Sequence, residues 1–482
     1  MENSSLLEIL RSFSKEEMKR FTRFVESPYF NTSEATAKLI AEIAKYHPEF
    51  ESKYLSKEKL FEKVYGNNKF SDNLIRKLVS NLINLSEKFL TVENPNMAEH
   101  NLLNSLRKKK LYKQYLKHFD RITKSKNDTI INEDVFLFSS LYETEQSNYL
   151  HQNDRYIEYE ESLLRVFNYD TLYYFYRLAQ TFIRAKHTSA FNPNNKEDLI
   201  LHTVNAVDLA KMKKKLNEID FIHKGYLLHF IDLILLELTN DESLYSGIKQ
   251  FTFNYSAITG DSSVYLGYIY LFEFISRRVA EGKEQYIFER FEIYKHLEKY
   301  SYSNNPEKIT LILLNNFFFS GIATKNIDFS EYLLNKYVPL LESKGNPGLN
   351  KFFRAWILFE KGQFKESLKL ISVFSTGGYT MEDQAFAPHA RRLILQLNYE
   401  LGYYDEALYY LDSFTRFMKN NKKTDIKQKS GLGKFIKVYS QLLDYRLKHK
   451  HFNPEAAKKS ININFSFGRN WLIEKIDEIN SA

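Results

Sequence analysis

An all-α fold is predicted for this chain of 482 residues. Apolar residues recur at i, i+3, i+4 and i+7 through nearly every long segment, and residues that start or stop helices stand where that periodicity breaks. Strand signals are scarce: strict apolar–polar alternation is confined to Ile461-Asn462-Ile463-Asn464-Phe465-Ser466-Phe467. A lone strand has no partner in the chain, so this segment is either an extended tail packed on the last helices or an edge offered to another chain.

The elements follow in order. Ser14-Lys15-Glu16-Glu17 has the form of a capping box, and it opens a helix with Met18, Phe21, Phe24 and Val25 on one face, closed by Pro28. Ser33, Ser56 and Ser71 mark further helix starts, the last leading into the stripe Leu74, Leu78, Leu82, Leu85 and Phe89. Pro28, Pro48, Pro95, Pro193, Pro306, Pro347 and Pro454 stand at junctions, where a missing amide costs little. Pro388 suits a first helical turn, and Pro339 should kink or end a helix. Three aromatic-rich helices are expected between about Asn132 and Thr188, and a break at Asn192-Pro193-Asn194-Asn195 precedes helical hairpins that run to about His449. The domains implied are residues 1–95, an N-terminal helical domain, residues 96–190, a basic helix with the aromatic-rich helices, and residues 191–482, the hairpins with the short extended segment.

Composition bounds the function. Hydrophobic residues at 43% and charged residues at 27% provide a core and argue against general disorder. With no cysteine, the chain has no disulfide framework or thiolate metal site. The opening residues lack a signal-peptide core, and the most apolar windows, from Phe230 and from Ile309, fall short of the roughly 18 to 20 residues of a membrane span. A cytoplasmic protein without a membrane partner is the expectation. The net charge of +8 is uneven: residues 1–127 carry 24 Lys and Arg against 16 Asp and Glu, residues 128–415 carry 29 against 38, and residues 416–482 carry 15 against 6. Basic ends and an acidic middle fit phosphate binding, self-attraction within the molecule, or the base composition of an A/T-rich genome.

Two segments forty residues apart share a pattern, Gly362-Gln363-Phe364-Lys365-Glu366-Ser367-Leu368 and Gly402-Tyr403-Tyr404-Asp405-Glu406-Ala407-Leu408. Each follows one amphipathic helix and opens another. Glycine permits a left-handed turn, the ring packs between the helices, and the small residue lets the backbones approach. The pattern resembles the tetratricopeptide repeat, which implies a solenoid of helical hairpins. The first-helix tryptophan site of that repeat holds Lys351 or Arg391 here, a leucine site holds Arg354, and the spacing exceeds the usual figure of about 34, with Ser375–Tyr379 as the surplus. The opening, with Ser27-Pro28-Tyr29-Phe30-Asn31, then Leu82–Leu90 and the basic Leu102–Leu111, also resembles a group of bacterial all-helical repeat proteins of no known activity.

Charged constellations offer the next candidates. Residues 107–126 hold nine basic side chains against Asp120 alone, and Arg107, Lys110, Lys113, Lys117 and Arg121 are the candidate nucleic-acid contacts. On one helix, positions 110, 113, 117, 121 and 124 would share a face able to track phosphates, or a solvated face paired with the acidic middle of the chain. The basic run from Arg416 to Lys459 has the same two readings. Residues 54–90 faintly resemble the two helices of a winged-helix DNA reader, which would place Asn73, Arg76, Lys77 and Asn81 toward the duplex, but no strand hairpin follows to form the wing.

The signatures of phosphate loops, dinucleotide folds, zinc proteases and serine hydrolases are absent, and His449-Lys450-His451 would point its two rings apart on a helix. No enzyme, cofactor or metal is therefore expected. The reading is a scaffold that binds a protein or peptide, and the alternative is a nucleic-acid-associated regulator with basic N-terminal helices and the repeats as sensor. In tetratricopeptide repeats the first helix of each hairpin lines a concave groove. The resemblance thereby assigns a partner groove to Leu349, Phe352, Trp356 and Phe359, followed by His389, Arg392, Gln396 and Tyr399, with Arg392 pairing a carboxylate. Later helices folding over that face would instead make it core.

Overall fold

The computed structural model describes residues 4–51, 55–93, 95–125, 133–189, 198–259, 262–345, 348–372, 386–420, 426–448, 451–461 and 468–481, and every regular element within them is helical. Residues 462–467 of the expected strand, the break at residues 192–195 and the loop at residues 375–379 lie outside the described residues. The chain divides into two compact units, Met1–Lys126 with Phe138–Phe167, and Asn127–Leu137 with Asn168–Ala482.

The first unit begins with α1 (Ser5–Arg11), α2 (Lys15–Glu26), α3 (Glu34–Ile43), α4 (Lys57–Tyr65) and α5 (Asp72–Val92). The capping box forms: Ser14 Oγ accepts from Glu17 N at 3.2 Å, and Ser14 N donates to the Glu17 carboxylate at 2.7 Å. The turn after α2 is held by Asn31, whose amide donates to Val25 O and Ser33 O and whose oxygen accepts from Ser33 N. That leaves Phe30 stacked on Phe24 at 4.0 Å, with Tyr29 in solvent. Phe13, Phe21 and Phe24 all close on Phe89 of α5 at 5.4 to 5.6 Å, so Leu78, Leu82, Leu85 and Phe89 form the spine of this core, while Leu74, expected with them, is exposed and Ile75 is buried in its stead.

Next come α6 (Pro95–Lys108), α7 (Tyr112–Ser125), α8 (Glu133–Gln152) and α9 (Tyr156–Ser189). Leu103, Tyr115, Ile122, Tyr142, Tyr149 and Leu150 form a second, separate core of the first unit. Two helices, rather than the three expected, cover the described part of residues 132–188, because no glycine or proline interrupts α9 over its 34 residues. The boundaries between the two units fall after Lys126, inside α8 and inside α9.

The second unit continues with α10 (Asp198–Ala206), α11 (Leu209–Asn217), α12 (Lys224–Thr239), α13 (Glu242–Thr259), α14 (Ser262–Ala280), α15 (Gln285–Leu297), α16 (Leu311–Ala323), α17 (Ile327–Ser343) and α18 (Leu349–Glu360). It ends with α19 (Phe364–Ile371), α20 (Ala387–Glu400), α21 (Tyr404–Asn420), α22 (Ile426–Lys448), α23 (Pro454–Ile461) and α24 (Arg469–Asn480). From α12 to α22 each helix packs on the next. Pro339 lies inside α17, which continues through it to Ser343.

A left-handed residue follows every second helix: Asn240, Gly282, Lys325, Gly362 and Gly402, at intervals of 37 to 43 residues. At the last four the next amide reaches back to the helix, as in Asn326 N to Gly321 O at 2.9 Å, Gln363 N to Leu358 O at 2.9 Å and Tyr403 N to Asn398 O at 2.8 Å, the bond that closes a Schellman turn. Five hairpins result, α12–α13 to α20–α21. Inside them the small residue recurs in register. Ser330 Oγ donates to Phe318 O at 3.1 Å and Ser367 Oγ to Ala355 O at 2.6 Å, while Ala407 holds the corresponding place; all three are fully buried. The aromatic ring recurs too, with Phe359 to Phe364 and Tyr399 to Tyr404 both at 5.6 Å.

Candidate functional site

α20 starts with Pro388 in its first turn and ends at the Gly402 turn. Between them every residue from Pro388 to Tyr399 except Arg391 is buried, so the helix is enclosed nearly all round. The groove residues expected from sequence are brought together, but as covered side chains. His389 stacks on Phe319 of α16 at 4.9 Å, and Trp356 meets the same ring edge-on at 5.1 Å. The Arg392 guanidinium lies 4.7 Å over the Trp356 ring. Phe352 and Phe359 pack on either side of this group, and Leu349 is buried with them.

An open groove is therefore not what the chain presents. α22 covers α20 from one side: Tyr439 Oη donates to Leu395 O at 2.5 Å, and Arg446 Nε donates to Tyr399 Oη at 3.1 Å. α24 covers the end of α20. Trp471 packs edge-on against Tyr399 at 5.4 Å and donates its indole N–H to Glu400 at 2.5 Å, and Lys475 reaches Glu400 at 3.0 Å. With the ring contacts of Trp471 to Phe435 and Tyr439, three apolar contacts and two bonds to one carboxylate give this helix a defined seat.

Burial sets the electrostatics of the face. It pushes His389 down to about 3, assisted by the charge of Arg392, so the ring is neutral near pH 7. It lowers Arg392 to about 10, against the opposing pull of Glu360. Burial works against the Lys475 ammonium as well, but its hydrogen bonds to Glu478 and Glu400 outweigh that and hold its pKa above the ordinary value. The Trp356 indole N–H and the Gln396 carbonyl are buried without a hydrogen-bond partner among the described residues.

No family model, characterised protein or solved structure matches the chain.

The basic stripe is divided differently from its sequence reading. The chain leaves α6 at Lys108 and turns through Lys110, which has φ 57°, before α7 begins at Tyr112. Lys110 therefore stands outside the helix that carries Lys113, Lys117, Arg121 and Lys124. Arg107 is not a surface group: it is buried and donates to Glu145 at 2.7 Å, a carboxylate that Asn104 also reaches. Arg121 faces Glu99 at 3.4 Å. Lys108, Lys109, Lys110, Lys113, Lys117 and Lys124 are exposed and have no ion pair among the described residues.

The winged-helix resemblance finds no support among the described residues, which contain no strand. Arg76 pairs with Asp72 and Asn81 donates to Thr36 Oγ1, so both serve the fold. His451 is exposed and His449 lies outside the described residues, which hold no group of three or more His, Asp or Glu placed to bind a metal. One polar group escapes sequence reasoning: Glu298, buried in a π-helical turn after α15, accepts from Tyr337 at 2.6 Å, Tyr332 at 2.8 Å and Lys336 at 3.2 Å. No spacing signals it, because its partners lie more than thirty residues away; with three donors on it, it ties α15 to α17. Among the described residues no helix is long and apolar enough to cross a membrane.

Proposed function

We propose that the protein is a non-catalytic scaffold of the tetratricopeptide-like class, acting in the cytoplasm, that binds a protein or peptide partner at the seat formed by the end of α20 and by α22. The observation that carries this reading is that the face takes a helix already. α24 seats one aromatic and one cationic side chain on Glu400 and Tyr399, which is the chemistry a peptide-binding face needs. The hairpin turns repeating at Lys325, Gly362 and Gly402 support the repeat class. The test is affinity capture by the full chain from extracts of its native host, with nuclease treatment, beside a Glu400→Lys variant. A protein partner that survives nuclease and is lost by the variant supports the reading; equal capture by both chains sinks it.

A second reading rests on a different observation, the six exposed lysines of the α6–α7 turn and of α7 that have no ion pair among the described residues. They would contact the phosphates of a nucleic acid, with affinity falling as salt rises. Fluorescence anisotropy with labelled single- and double-stranded oligonucleotides at low salt decides it, since absence of binding there removes this reading.

A further inference from the structure

α24 packs chiefly on α22 and α23, with Leu472 and Ile476 fully buried, and at helical spacing its Trp471 and Lys475 converge on one end of α20. Gly468, at φ 71°, starts the helix so close to the face that an added Cβ would lie 3.1 Å from the Phe435 ring and 3.4 Å from Arg392 Cδ. Trp471 then stacks on Tyr439 at 5.9 Å and bonds to Glu400, and Lys475, one turn further, bonds to the same carboxylate. At its start Arg469 pairs with Glu284, beside α15, at 2.6 Å. A residue on α20 thus serves as a shared acceptor for an indole N–H and an ammonium four residues apart on the docked helix.

We infer that α24 is a resident ligand of this face, and that a partner docks by presenting a helix with the same pair, a tryptophan and a lysine four residues on, in its place. The inference rests on the scaffold reading for its partner, but the geometry it uses is that of the chain alone. Tyr399, Tyr439 and Phe435 form an aromatic seat with the Glu400 carboxylate at its rim; an acidic or purely aliphatic helix would leave that carboxylate without a donor in a partly buried site. Occupancy by the chain's own segment keeps the seat closed until a competitor with equivalent chemistry arrives.

The probe is a labelled peptide of residues 468–481, followed by anisotropy against the full chain. A full-length Trp471→Ala/Lys475→Ala variant, with its own helix weakened, should bind the peptide. The native chain should bind it at least roughly tenfold more weakly, because its seat is free only in the molecules whose α24 has lifted. A peptide with alanine at the tryptophan position, or a full chain with the further change Glu400→Lys, should show no binding. If the folded variant gains nothing over the native chain, α24 is a fixed part of the core and the inference fails.

Should the variant not fold, hydrogen exchange on the native chain decides. Amides of α24 that exchange through an opening which leaves α18 to α22 protected support the inference; exchange of α24 only together with those helices overturns it. A native dimer that disappears in Trp471→Ala would assign the seat to a second copy and also overturn it. None of these outcomes depends on an external partner, so a failure here leaves the scaffold reading to its capture test, and a failed capture leaves the resident helix standing.

Discussion

On the α20 face Arg392 lies over the Trp356 ring and Lys475 sits between Glu400 and Glu478, both nearly out of water. At the α6–α7 turn, Lys108, Lys109, Lys110, Lys113 and Lys117 stand in solvent with no anionic partner among the described residues. The two regions are alike in residue type and opposite in environment. A cation that gives up its hydration needs a ring or a carboxylate against it, so its removal is felt by the fold. A cation that keeps its hydration contributes little to folding and stays available to an anion from outside. Charge alone therefore does not mark a binding surface; the neighbours that have or have not closed over it do.

The sharpest way to break this comparison is Arg392→Glu. It sets a carboxylate against the negative face of Trp356 and near Glu360, and should cost roughly 3 to 5 kcal/mol in urea unfolding followed by circular dichroism. An open groove would make the same change nearly silent, so a loss below about 0.5 kcal/mol would restore that picture. Ala407→Arg, forced into the fully buried contact inside the α20–α21 hairpin, is expected to cost roughly 2 to 4 kcal/mol by overpacking and burial of charge. Comparable losses at the two positions would show that the α20 face is as much core as the hairpin interior.

A pH titration sharpens the comparison further. Burial lowers both His229 and His389 to about 3, so the unfolded chain takes up the protons first as the pH falls. Their stabilising contribution is complete above the unfolded value of about 6.5 and is lost between there and about 3, amounting at pH 5 to about 2 kcal/mol for each histidine. His389→Gln should shed one of these two steps in melts compared at pH 7.5 and pH 5; an unchanged slope would mean that the ring is hydrated. The smallest effect on stability belongs to Lys113→Glu with Lys117→Glu, expected within about 0.5 kcal/mol. If the α6–α7 turn binds nucleic acid, that pair should nonetheless abolish binding at low salt, and retained binding would move the contact elsewhere.

What could be read beforehand depended on whether a residue type betrays its backbone. Gly362 and Gly402 announce their turns because glycine is the usual left-handed residue, and Ser14 announces α2 because its capping partner Glu17 is local. The equivalent turns at Asn240, Gly282 and Lys325 are not signalled in the sequence, and Gly282 lacks the aromatic residue two positions on that marks Gly362 and Gly402. Lys325 reaches φ 60° because the bond from Asn326 N to Gly321 O and the tight seat of Ser330 on α16 hold it there, and neither is visible in its own identity. The α6–α7 break hid for the same reason, within a run of lysines that favour helix. The side chains that the tetratricopeptide resemblance assigns to a groove all lie on α18 and α20. Their exposure could not be read, because it is decided by side chains far away in the chain: Phe319 of α16 covers His389 and Trp356, and Tyr439 and Trp471 cover the end of α20.

The positions of the two indoles have a spectroscopic consequence. Trp356 and Trp471 are the chain's only tryptophans, and both belong to the second unit, one beneath the Arg392 guanidinium and the other bonded to Glu400. Excited selectively, beyond the tyrosine band, the protein emits from the α20 face alone and the first unit is dark. Unfolding of the first unit would pass unseen in emission while ellipticity records it, so a single denaturant titration read by both signals separates the two units. A Trp356→Phe chain would leave Trp471 as a solitary lamp on α24, its emission moving to the red when that helix meets water.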